Sequence, residues 1–396
     1  MISVLDAQRI MEESVTPLSE ETVPLSQACG RILREPISAP ADMPAFDHSA
    51  VDGYALRGDE NAAELEVVGE IRAGQAIDKT LQPGEAIRIL TGARLPGPGL
   101  KIAMQEHVEI SGSRIRLLQP ASTNYIRSQG TEARAGEVLL DSGTLLGAAA
   151  LALVASLGRT SLRVPRLPRI FHLTTGDEII PPGQVPKPGQ IRNSNASLIS
   201  ALCREQGIEN ITHRHAGDDW PALQQVVAEA KTETYDLILI SGGSGAGDYD
   251  FSAKLFQHLG VPIQFRQVNV RPGKPLIFGA TSSQVIFGLP GNVLSHFVCF
   301  HLFVRRALDR LLGRTASSPA QGFLSTAMNG TANDRETWWP AQARLEEGRL
   351  VCRALPWKSS GDITRLPGVN ALIQVLPMTQ EMPAGIRVNL LLTRSL

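Results

Sequence analysis

One stretch decides the fold: Leu237-Ile238-Leu239-Ile240-Ser241-Gly242-Gly243-Ser244-Gly245-Ala246-Gly247-Asp248-Tyr249-Asp250. It joins a short apolar run to a glycine-rich loop that ends in two carboxylates. A short run of leucine and isoleucine predicts a strand that is buried on both faces of a parallel sheet. Glycines let the backbone approach a phosphate closely, and the start of a following helix adds its positive dipole end. The stretch therefore predicts an α/β domain whose loop binds an anion, and a plain strand-to-helix turn is the alternative.

Strands and helices alternate on both sides of this stretch, across residues 168–314. Apolar runs predict further strands at 170–174, 211–215, 263–270, 276–278 and 285–287. A helix is predicted to begin at an N-cap, Ser194 or Asn195, and to end at Gly207. Such alternation predicts a doubly wound, mostly parallel sheet covered by helices.

The rest of the chain is richer in short strands. Residues 46–124 carry short alternating runs between closely spaced glycines and prolines, which predict a β-rich lobe. Residues 315–396 contain several short strand patterns, which we interpret as a small C-terminal β-barrel. Residues 1–45 together with 125–167 are interpreted as an N-terminal, linking domain. The sequence thus predicts a multidomain protein of the α/β plus β class.

Composition limits the kinds of partner. The 396 residues are 43% hydrophobic and 19% charged, with a net charge of −1, so nothing favours binding to nucleic acid or to an anionic membrane. Cys29, Cys203, Cys299 and Cys352 are scattered, which indicates reduced thiols and a cytoplasmic protein. The longest apolar run, 145–157, is shorter than the roughly 20 residues that a membrane span needs.

Four loops each leave the carboxyl end of a predicted strand and are therefore expected at one edge of the sheet: 175–178, 241–250, 271–275 and 289–292. In open α/β sheets, ligands bind beyond the carboxyl ends of the strands. The loops contain the cations Arg271 and Lys274 and the carboxylates Asp177, Glu178, Asp248 and Asp250. Converging carboxylates repel one another unless a cation joins them, and Mg²⁺ is the usual one. The set predicts a phosphate site with Mg²⁺, although each acid taken alone is also a common helix cap or turn residue.

Taken together, the motifs resemble those of molybdopterin molybdenumtransferases of the MoeA type, the family that includes the E domain of gephyrin. The matching segments keep the family's order: 46–55, 88–93, 175–178, 242–250, 272–275, 288–292 and 360–363. The resemblance implies an elongated homodimer of four-domain subunits with a central MogA-like α/β domain. It also implies a transferase that cleaves adenylylated molybdopterin with Mg²⁺ and molybdate, releasing AMP and molybdenum cofactor.

Motif positions carry the family's site residues onto this chain. The implied catalytic residues are Asp52, Thr91, Glu178, Asp218 and Asp250, and the implied metal ligands are Glu178, Asp248 and Asp250. The implied substrate-binding residues are Gly242, Gly243, Ser244, Gly245, Gly247, Asp248, Arg271, Pro272, Gly273, Lys274, Pro290, Gly291, Asn292 and Ser360. Because Asp52 and Thr91 belong to the β-rich lobe, we expect the partner subunit to supply them. Molybdate, a tetrahedral oxyanion, is expected to need Lys274, Arg271 and the Ser360 hydroxyl.

Several positions depart from the family pattern, among them Val293 and the Ser244-Gly245-Ala246 order within the loop. These departures leave two other functions open. One is a divergent, non-catalytic molybdopterin-binding paralogue or scaffold, and the other is a CinA-like nucleotide pyrophosphatase. Further expected partners are a MogA-like adenylyltransferase and molybdoenzyme maturation factors.

Overall fold

The structure is a computed structural model, and it describes residues 1–232, 234–242, 251–330 and 333–394. The chain forms two compact units, one of Met1–Arg34 with Leu162–Leu396 and the other of Glu35–Ser161. The finer division into four domains, at 45/46, 124/125, 167/168 and 314/315, stays a prediction. Among the described residues, no helix combines the length and apolarity that a membrane span requires.

The first unit is built on a six-stranded central sheet. Its strands in spatial order are Ile211–Ala216, Ile170–Thr175, Leu237–Ser241, Val285–Leu289, Ile277–Ala280 and Ile263–Phe265. The first four are parallel, whereas Ile277–Ala280 runs antiparallel to both of its neighbours. Every residue of the strand Leu237–Ser241 is buried, which explains why its sequence is apolar without alternation.

Helices cover both faces of this sheet. Leu237 and Leu239 pack on one face, and Ile238 and Ile240 pack on the other, because successive side chains of a strand point to opposite faces. The helices of the first face are Val4–Ser14, Ser194–Glu205, Val293–Cys299 and Arg305–Leu311, the last two joined by a π-helical turn, Phe300–Val304. The helices of the second face are Trp220–Thr232 and Phe251–Leu259. The doubly wound fold that the sequence predicts is confirmed.

The C-terminal strands close into a five-stranded barrel. In order around the barrel they are Glu336–Glu346, Arg349–Ala354, Ala320–Leu324, Arg387–Leu392 and Ala371–Val375, and the last pairs with the first. The interior is a separate apolar cluster that includes Leu324, Cys352 and Ile373. The predicted β-barrel is confirmed.

One predicted strand, 263–270, is wrong in its extent. It divides into Ile263–Phe265 in the central sheet and Val270–Arg271, which pairs in parallel with Glu336 and Thr337 of the barrel. Apolar residues occur at both ends of 263–270 because each end pairs within a sheet, but the two ends belong to different sheets. The division places the start of the 271–275 loop beside the barrel.

The second unit contains its own six-stranded sheet, in agreement with the predicted β-rich lobe. Its strands in spatial order are Leu100–Met104, Gly53–Arg57, Glu85–Ile89, Glu64–Ile71, Arg114–Leu117 and Val108–Ser111. Apolar side chains pack on both faces, in two separate clusters. The unit also contains two short strand pairs and one α-helix: Ile37–Ser38 with Val138–Leu140, His48–Ser49 with Ile126–Arg127, and Ala148–Ser156.

Candidate active site

The order of strands reverses beside the central strand of the first unit. From Ile170–Thr175 the chain passes to Ile211–Ala216 on one side and then to Leu237–Ser241 on the other. A crevice opens at the carboxyl ends of the strands at such a switch point. Here it is a cavity of about 400 Å³, which we name the acidic cavity; its lining residues include Thr175, Glu178, Asn193, Asp218, Gly242 and Asn292.

Three carboxylates gather at the acidic cavity. Glu178 and Asp218 line it, and Asp177 accepts a hydrogen bond of 3.0 Å from the backbone N–H of Asp218. Burial, followed by the negative charges of Glu178 and Asp177, raises the pKa of the Asp218 carboxyl. A divalent cation would relieve this repulsion, and carboxylate oxygens suit Mg²⁺.

The described residues alone do not complete a metal site. They contain no group of three histidine, cysteine or acidic side chains placed to hold an ion. The predicted ligands Asp248 and Asp250 lie outside the described residues, as do the predicted binding residues Gly243, Ser244, Gly245 and Gly247. Of the predicted ligands, the structure therefore places Glu178 alone.

Neutral donors oppose the carboxylates. Asn193 caps the helix Ser194–Glu205, and its amide donates a hydrogen bond of 2.9 Å to the Thr174 hydroxyl. The cap lies before the predicted Ser194 or Asn195, so that prediction is wrong by at least one residue. Because Asn193 and Asn195 both line the acidic cavity, the positive end of this helix opens there and favours an anion.

Gly242 allows the central strand to reach the cavity wall. Its φ is +102°, and a Cβ at this position would lie 2.7 Å from Thr175 Oγ1 and 2.8 Å from the Thr175 carbonyl oxygen. Glycine is therefore required on both conformational and steric grounds. The buried Thr175 hydroxyl has no hydrogen-bond partner within the described part of the chain, so it is available to a ligand.

A second cavity, of about 340 Å³, adjoins the first. Pro275, Pro290 and Asn292 line both cavities. Where the chain is described, the charged residues that line the second cavity are all cations: Arg271, Lys274, Arg335 and Lys358. We name it the basic cavity. Its cations and hydroxyl groups suit a small oxyanion.

The 271–275 loop reaches this edge by a route that the sequence did not predict. It does not leave a strand of the central sheet but enters Ile277–Ala280, whose antiparallel direction places its start beside the end of Val285–Leu289. The predicted position is right and the predicted reason is wrong. Gly273 in this loop has φ +119°, and a Cβ would lie 2.6 Å from Cys299 Sγ, so the close approach again requires glycine.

Arg271 is held by an aromatic ring in the basic cavity. Its guanidinium carbon lies 5.3 Å from the centroid of the Trp357 ring, and Trp357 packs edge-to-face on Trp339 with centroids 5.8 Å apart. The indole N–H of Trp339 donates a hydrogen bond of 2.9 Å to the Leu355 carbonyl. A cation–π contact of this kind restrains the position of the guanidinium, whose N–H groups are suited to bind an oxyanion.

The 290–292 loop connects the two cavities. The Asn292 amide donates a hydrogen bond of 2.8 Å to the Ser360 hydroxyl, and the Leu294 N–H donates one of 3.0 Å to the Ser360 carbonyl. On the other side, Asn195 Nδ2 donates to the Gly291 carbonyl at 2.8 Å. The loop therefore fixes the wall between the acidic and basic cavities.

Asp52 and Thr91 meet within the second unit. Asp52 Oδ1 accepts hydrogen bonds from the Thr91 backbone N–H at 2.8 Å and from the Thr91 hydroxyl at 2.7 Å. These two hydrogen bonds lower the pKa of the Asp52 carboxyl. The two residues that the motifs singled out in this lobe thus form one pair.

Sequence reasoning missed several residues of the two cavities. Among them are Asn193 and Asn195 in the acidic cavity and Arg335, Trp357 and Lys358 in the basic cavity. Lys358 lies two positions before Ser360, and that spacing was a usable signal. Arg335 precedes a barrel strand, and nothing in its surroundings in the sequence indicates the contact.

Comparison with known proteins covers nearly the whole chain. A family model described as "MoeA N-terminal region (domain I and II)" matches residues 2–158, and one described as "Probable molybdopterin binding domain" matches residues 172–310. A Nostoc sp. protein named molybdopterin molybdenumtransferase is 35% identical over 96% of this chain and 90% of its own length. A Staphylococcus epidermidis protein of the same name is 31% identical over 100% of this chain and 96% of its own length.

Solved structures agree with the fold. The structure described as a molybdopterin biosynthesis MoeA protein from Pyrococcus horikoshii matches with a TM-score of 0.84 at 28% identity, over 100% of both chains. A molybdenum cofactor biosynthesis protein from Pyrococcus furiosus matches with a TM-score of 0.60 at 19% identity, and this likeness concerns the fold alone.

Proposed function

Because the chain belongs to the MoeA family of molybdopterin molybdenumtransferases, we propose that it inserts molybdate into adenylylated molybdopterin with Mg²⁺ and releases AMP and molybdenum cofactor. The observation that carries this proposal is the joining of an acidic and a basic cavity through one shared wall at the switch point of the sheet. The full-length relatives favour this reaction over the non-catalytic paralogue and over the CinA-like pyrophosphatase.

In this proposal the substrate's pyrophosphate lies in the acidic cavity. The donor set there fits Mg²⁺, because the groups that face the cavity are carboxylates and amides. Burial, followed by the negative charges of Glu178 and Asp177, raises the pKa of Asp218, and a bound cation would offset both effects. Glu178, Asp248 and Asp250 would hold the ion, which when bound neutralises charge on the phosphates. The Thr175 hydroxyl and the helix end at Asn193 orient the phosphates through hydrogen bonds.

Molybdate is assigned to the basic cavity. Arg271 and Lys274 supply charge-assisted N–H donors, and the Ser360 hydroxyl supplies a neutral one. The newly found Arg335 and Lys358 add two positive charges to the same lining. The shared wall brings the oxyanion next to a substrate held in the acidic cavity, which is what transfer of the metal requires.

We further propose that the working form is a homodimer in which Asp52 and Thr91 of the partner subunit complete the site. The Asp52→Ala and Glu178→Ala variants are each expected to be inactive alone. Mixing and reassociating them in equal amounts should restore roughly a quarter of the wild-type rate, because half of the dimers would carry one intact site of two. No recovery at any mixing ratio would overturn the shared site.

The reaction itself is tested with purified protein, adenylylated molybdopterin, Mg²⁺ and molybdate. Release of AMP is expected, and it should require both ions. Tight binding of the substrate without release of AMP would favour the non-catalytic paralogue. Cleavage of ADP-ribose without any pterin would favour the pyrophosphatase. In the cell, we place the reaction in the cytoplasm, between a MogA-like adenylyltransferase and molybdoenzyme maturation factors.

A further inference from the structure

Three buried polar side chains form a hydrogen-bonded chain beneath the acidic cavity. The Ser241 hydroxyl oxygen lies 2.7 Å from His172 Nε2 and 2.6 Å from His296 Nε2. Both imidazoles are fully buried, and Ser241 is 2% exposed. Ser241 also belongs to the lining of the acidic cavity, so the chain links the protein interior to the cavity wall.

This hydrogen-bonded chain of side chains joins the three secondary-structure elements whose ends form the acidic cavity. His172 lies in the strand Ile170–Thr175, Ser241 ends the strand Leu237–Ser241, and His296 lies in the helix Val293–Cys299. That helix follows directly on the 290–292 loop, which is the wall between the two cavities. A change in any of the three side chains is therefore transmitted to the start of the glycine loop or to this wall.

The two hydrogen bonds of Ser241 run in one direction, from His172 to His296. A serine hydroxyl carries a single hydrogen, so between two neutral imidazoles it donates to one and accepts from the other. Burial lowers the pKa of the His296 ring from 6.5 to about 4, against the smaller effect of the Asn292 and Pro290 carbonyl groups, which raise it. Since Nε2 faces Ser241, these carbonyls favour a hydrogen on Nδ1. Ser241 then donates to His296 Nε2 and accepts from the Nε2–H of His172.

Stability does not account for this group. Nδ1 of His172 and Nδ1 of His296 are buried and make no hydrogen bond in the described part of the chain; the Asn292 and Pro290 carbonyls favour a hydrogen on His296 Nδ1 without reaching hydrogen-bond geometry with it. Buried polar atoms without partners cost free energy, and apolar side chains of the same shape would avoid that cost. We therefore expect these three side chains to serve the position of the cavity wall rather than the stability of the fold.

We infer that Ser241 is a positioning residue for the phosphate-binding site and that it acts through His296 on the 290–292 loop. The reaction served by this site is the one proposed above, and to that extent the inference rests on the proposed function. The hydrogen-bond chain and its effect on nucleotide binding are measurable without turnover.

The direction of the chain is tested by long-range ¹H–¹⁵N spectra of protein labelled at histidine, at neutral pH. His296 should show the Nδ1–H tautomer and His172 the Nε2–H tautomer. Ser241→Ala should shift both pairs of ring nitrogens, whereas Tyr235→Phe should not. The same tautomer in both rings, or a charged imidazole in either, would contradict the proposed direction of the hydrogen bonds.

The positioning role is tested by titration calorimetry with AMP. Ser241→Ala should weaken AMP binding about ten-fold, the effect of one buried hydrogen bond, and should raise KM more than it lowers kcat. Ser241→Thr, which keeps the hydroxyl, should restore the affinity. Tyr235→Phe is the matched control, since it removes a hydrogen bond of 3.1 Å to the Thr212 hydroxyl away from the cavity. Should Ser241→Ala fail to fold, His296→Leu against His296→Gln tests the same bond, with the loss of AMP affinity expected for leucine alone.

The outcomes separate this inference from the proposed function. Equal AMP affinity in the wild type and in Ser241→Ala overturns the positioning role alone. AMP binding with the expected loss in Ser241→Ala, but no transfer of molybdate, contradicts the proposed reaction and supports the positioning role. No AMP binding by the wild type overturns both.

Discussion

The acidic and basic cavities share a wall but arise in different ways. Glu178 and Asp218 follow parallel strands of the central sheet, so the topology of the doubly wound fold places them at one edge. The cations of the basic cavity come from separate sources: Arg271 and Lys274 from a loop that enters an antiparallel strand, and Arg335 and Lys358 from segments of the barrel region. One half of the site therefore follows from the fold class, and the other half requires the barrel.

The opposite charges of the two cavities indicate that each binds a different substrate. A cavity lined by carboxylates suits a phosphate that arrives with its cation, whereas a cavity lined by cations suits a bare oxyanion. The 290–292 loop lies between them, tied to both sides by Asn195 and Ser360. Substitutions on the two sides should therefore have separable effects.

The largest expected effects come from removing one charged group on each side. Glu178→Ala should slow AMP release by more than about 100-fold, since it removes a ligand of the Mg²⁺ that neutralises the phosphates. Lys274→Ala should weaken molybdate binding by about 10- to 100-fold, the loss of one charge-assisted hydrogen bond. AMP release as a function of molybdate concentration measures both effects. The substitution Lys187→Ala, at an exposed position, is the control for net charge. An unchanged KM for molybdate in Lys274→Ala would contradict the assignment of molybdate to the basic cavity.

A second prediction concerns the wall of the acidic cavity. Gly242→Ala should lower the free energy of unfolding by about 2 kcal/mol, because φ is unfavourable for alanine and the methyl group meets Thr175. Gly291→Ala is the matched control in the same cavity, since nothing lies within 4 Å of a Cβ there. Urea denaturation measures the difference, and equal stability of the two variants would count against the close approach.

A third prediction sharpens the role of the stacked cation in the basic cavity. Arg271→Lys keeps the charge but loses both the planar fork and its stacking on Trp357, so KM for molybdate should rise about five- to ten-fold. The same exchange at the exposed Arg266 should have no effect. If Arg271→Lys matches the wild type in a molybdate titration, charge alone governs the basic cavity.

The smallest effect expected at neutral pH is on stability, at a residue away from both cavities. His301 is 2% exposed, neither of its ring nitrogens has a partner among the described residues, and burial lowers its pKa from 6.5 to about 3. As the pH falls, His301 is therefore protonated in the unfolded chain before it is protonated in the folded protein. The contribution of the neutral histidine to the free energy of unfolding is fully present above pH 6.5. It is lost as the pH falls toward 3, by up to about 1.4 kcal/mol per pH unit.

His301→Leu should remove this part of the acid sensitivity and raise the free energy of unfolding at neutral pH by about 1 kcal/mol. Denaturation series at several pH values measure both changes. Because His301 lines neither cavity, AMP release should stay at the wild-type rate. An unchanged pH slope would show that the ring is not buried as a neutral group.

The sequence predicted the parts of the site that follow from local pattern. The apolar run before Ser241 specified a buried strand, and Gly242 marked the turn at its end. Arg335 and Trp357 were missed because their place in the basic cavity depends on how the barrel pairs with Val270–Arg271. No spacing along the chain records that pairing. The route of the 271–275 loop was mispredicted for the same reason, since the direction of Ile277–Ala280 is a property of the sheet.

The His172, Ser241 and His296 chain shows a further limit. Each residue taken alone is unremarkable in sequence, and 124 positions separate the first from the last. Only the packing of strands and helix brings both imidazoles within 2.7 Å of the Ser241 hydroxyl. Pattern within one element predicts burial, whereas polar contacts between elements depend on the register of the whole sheet.

The central claim, that one site divides its substrates between two cavities of opposite charge, is tested most directly by crystallography. Crystals soaked with molybdate and AMP would be measured at the molybdenum absorption edge. The anomalous peak is expected among Arg271, Lys274, Arg335 and Lys358, with the AMP phosphate on the other side of Asn292, near Gly242 and Glu178. Molybdenum in the acidic cavity, or AMP phosphate in the basic one, would contradict the account.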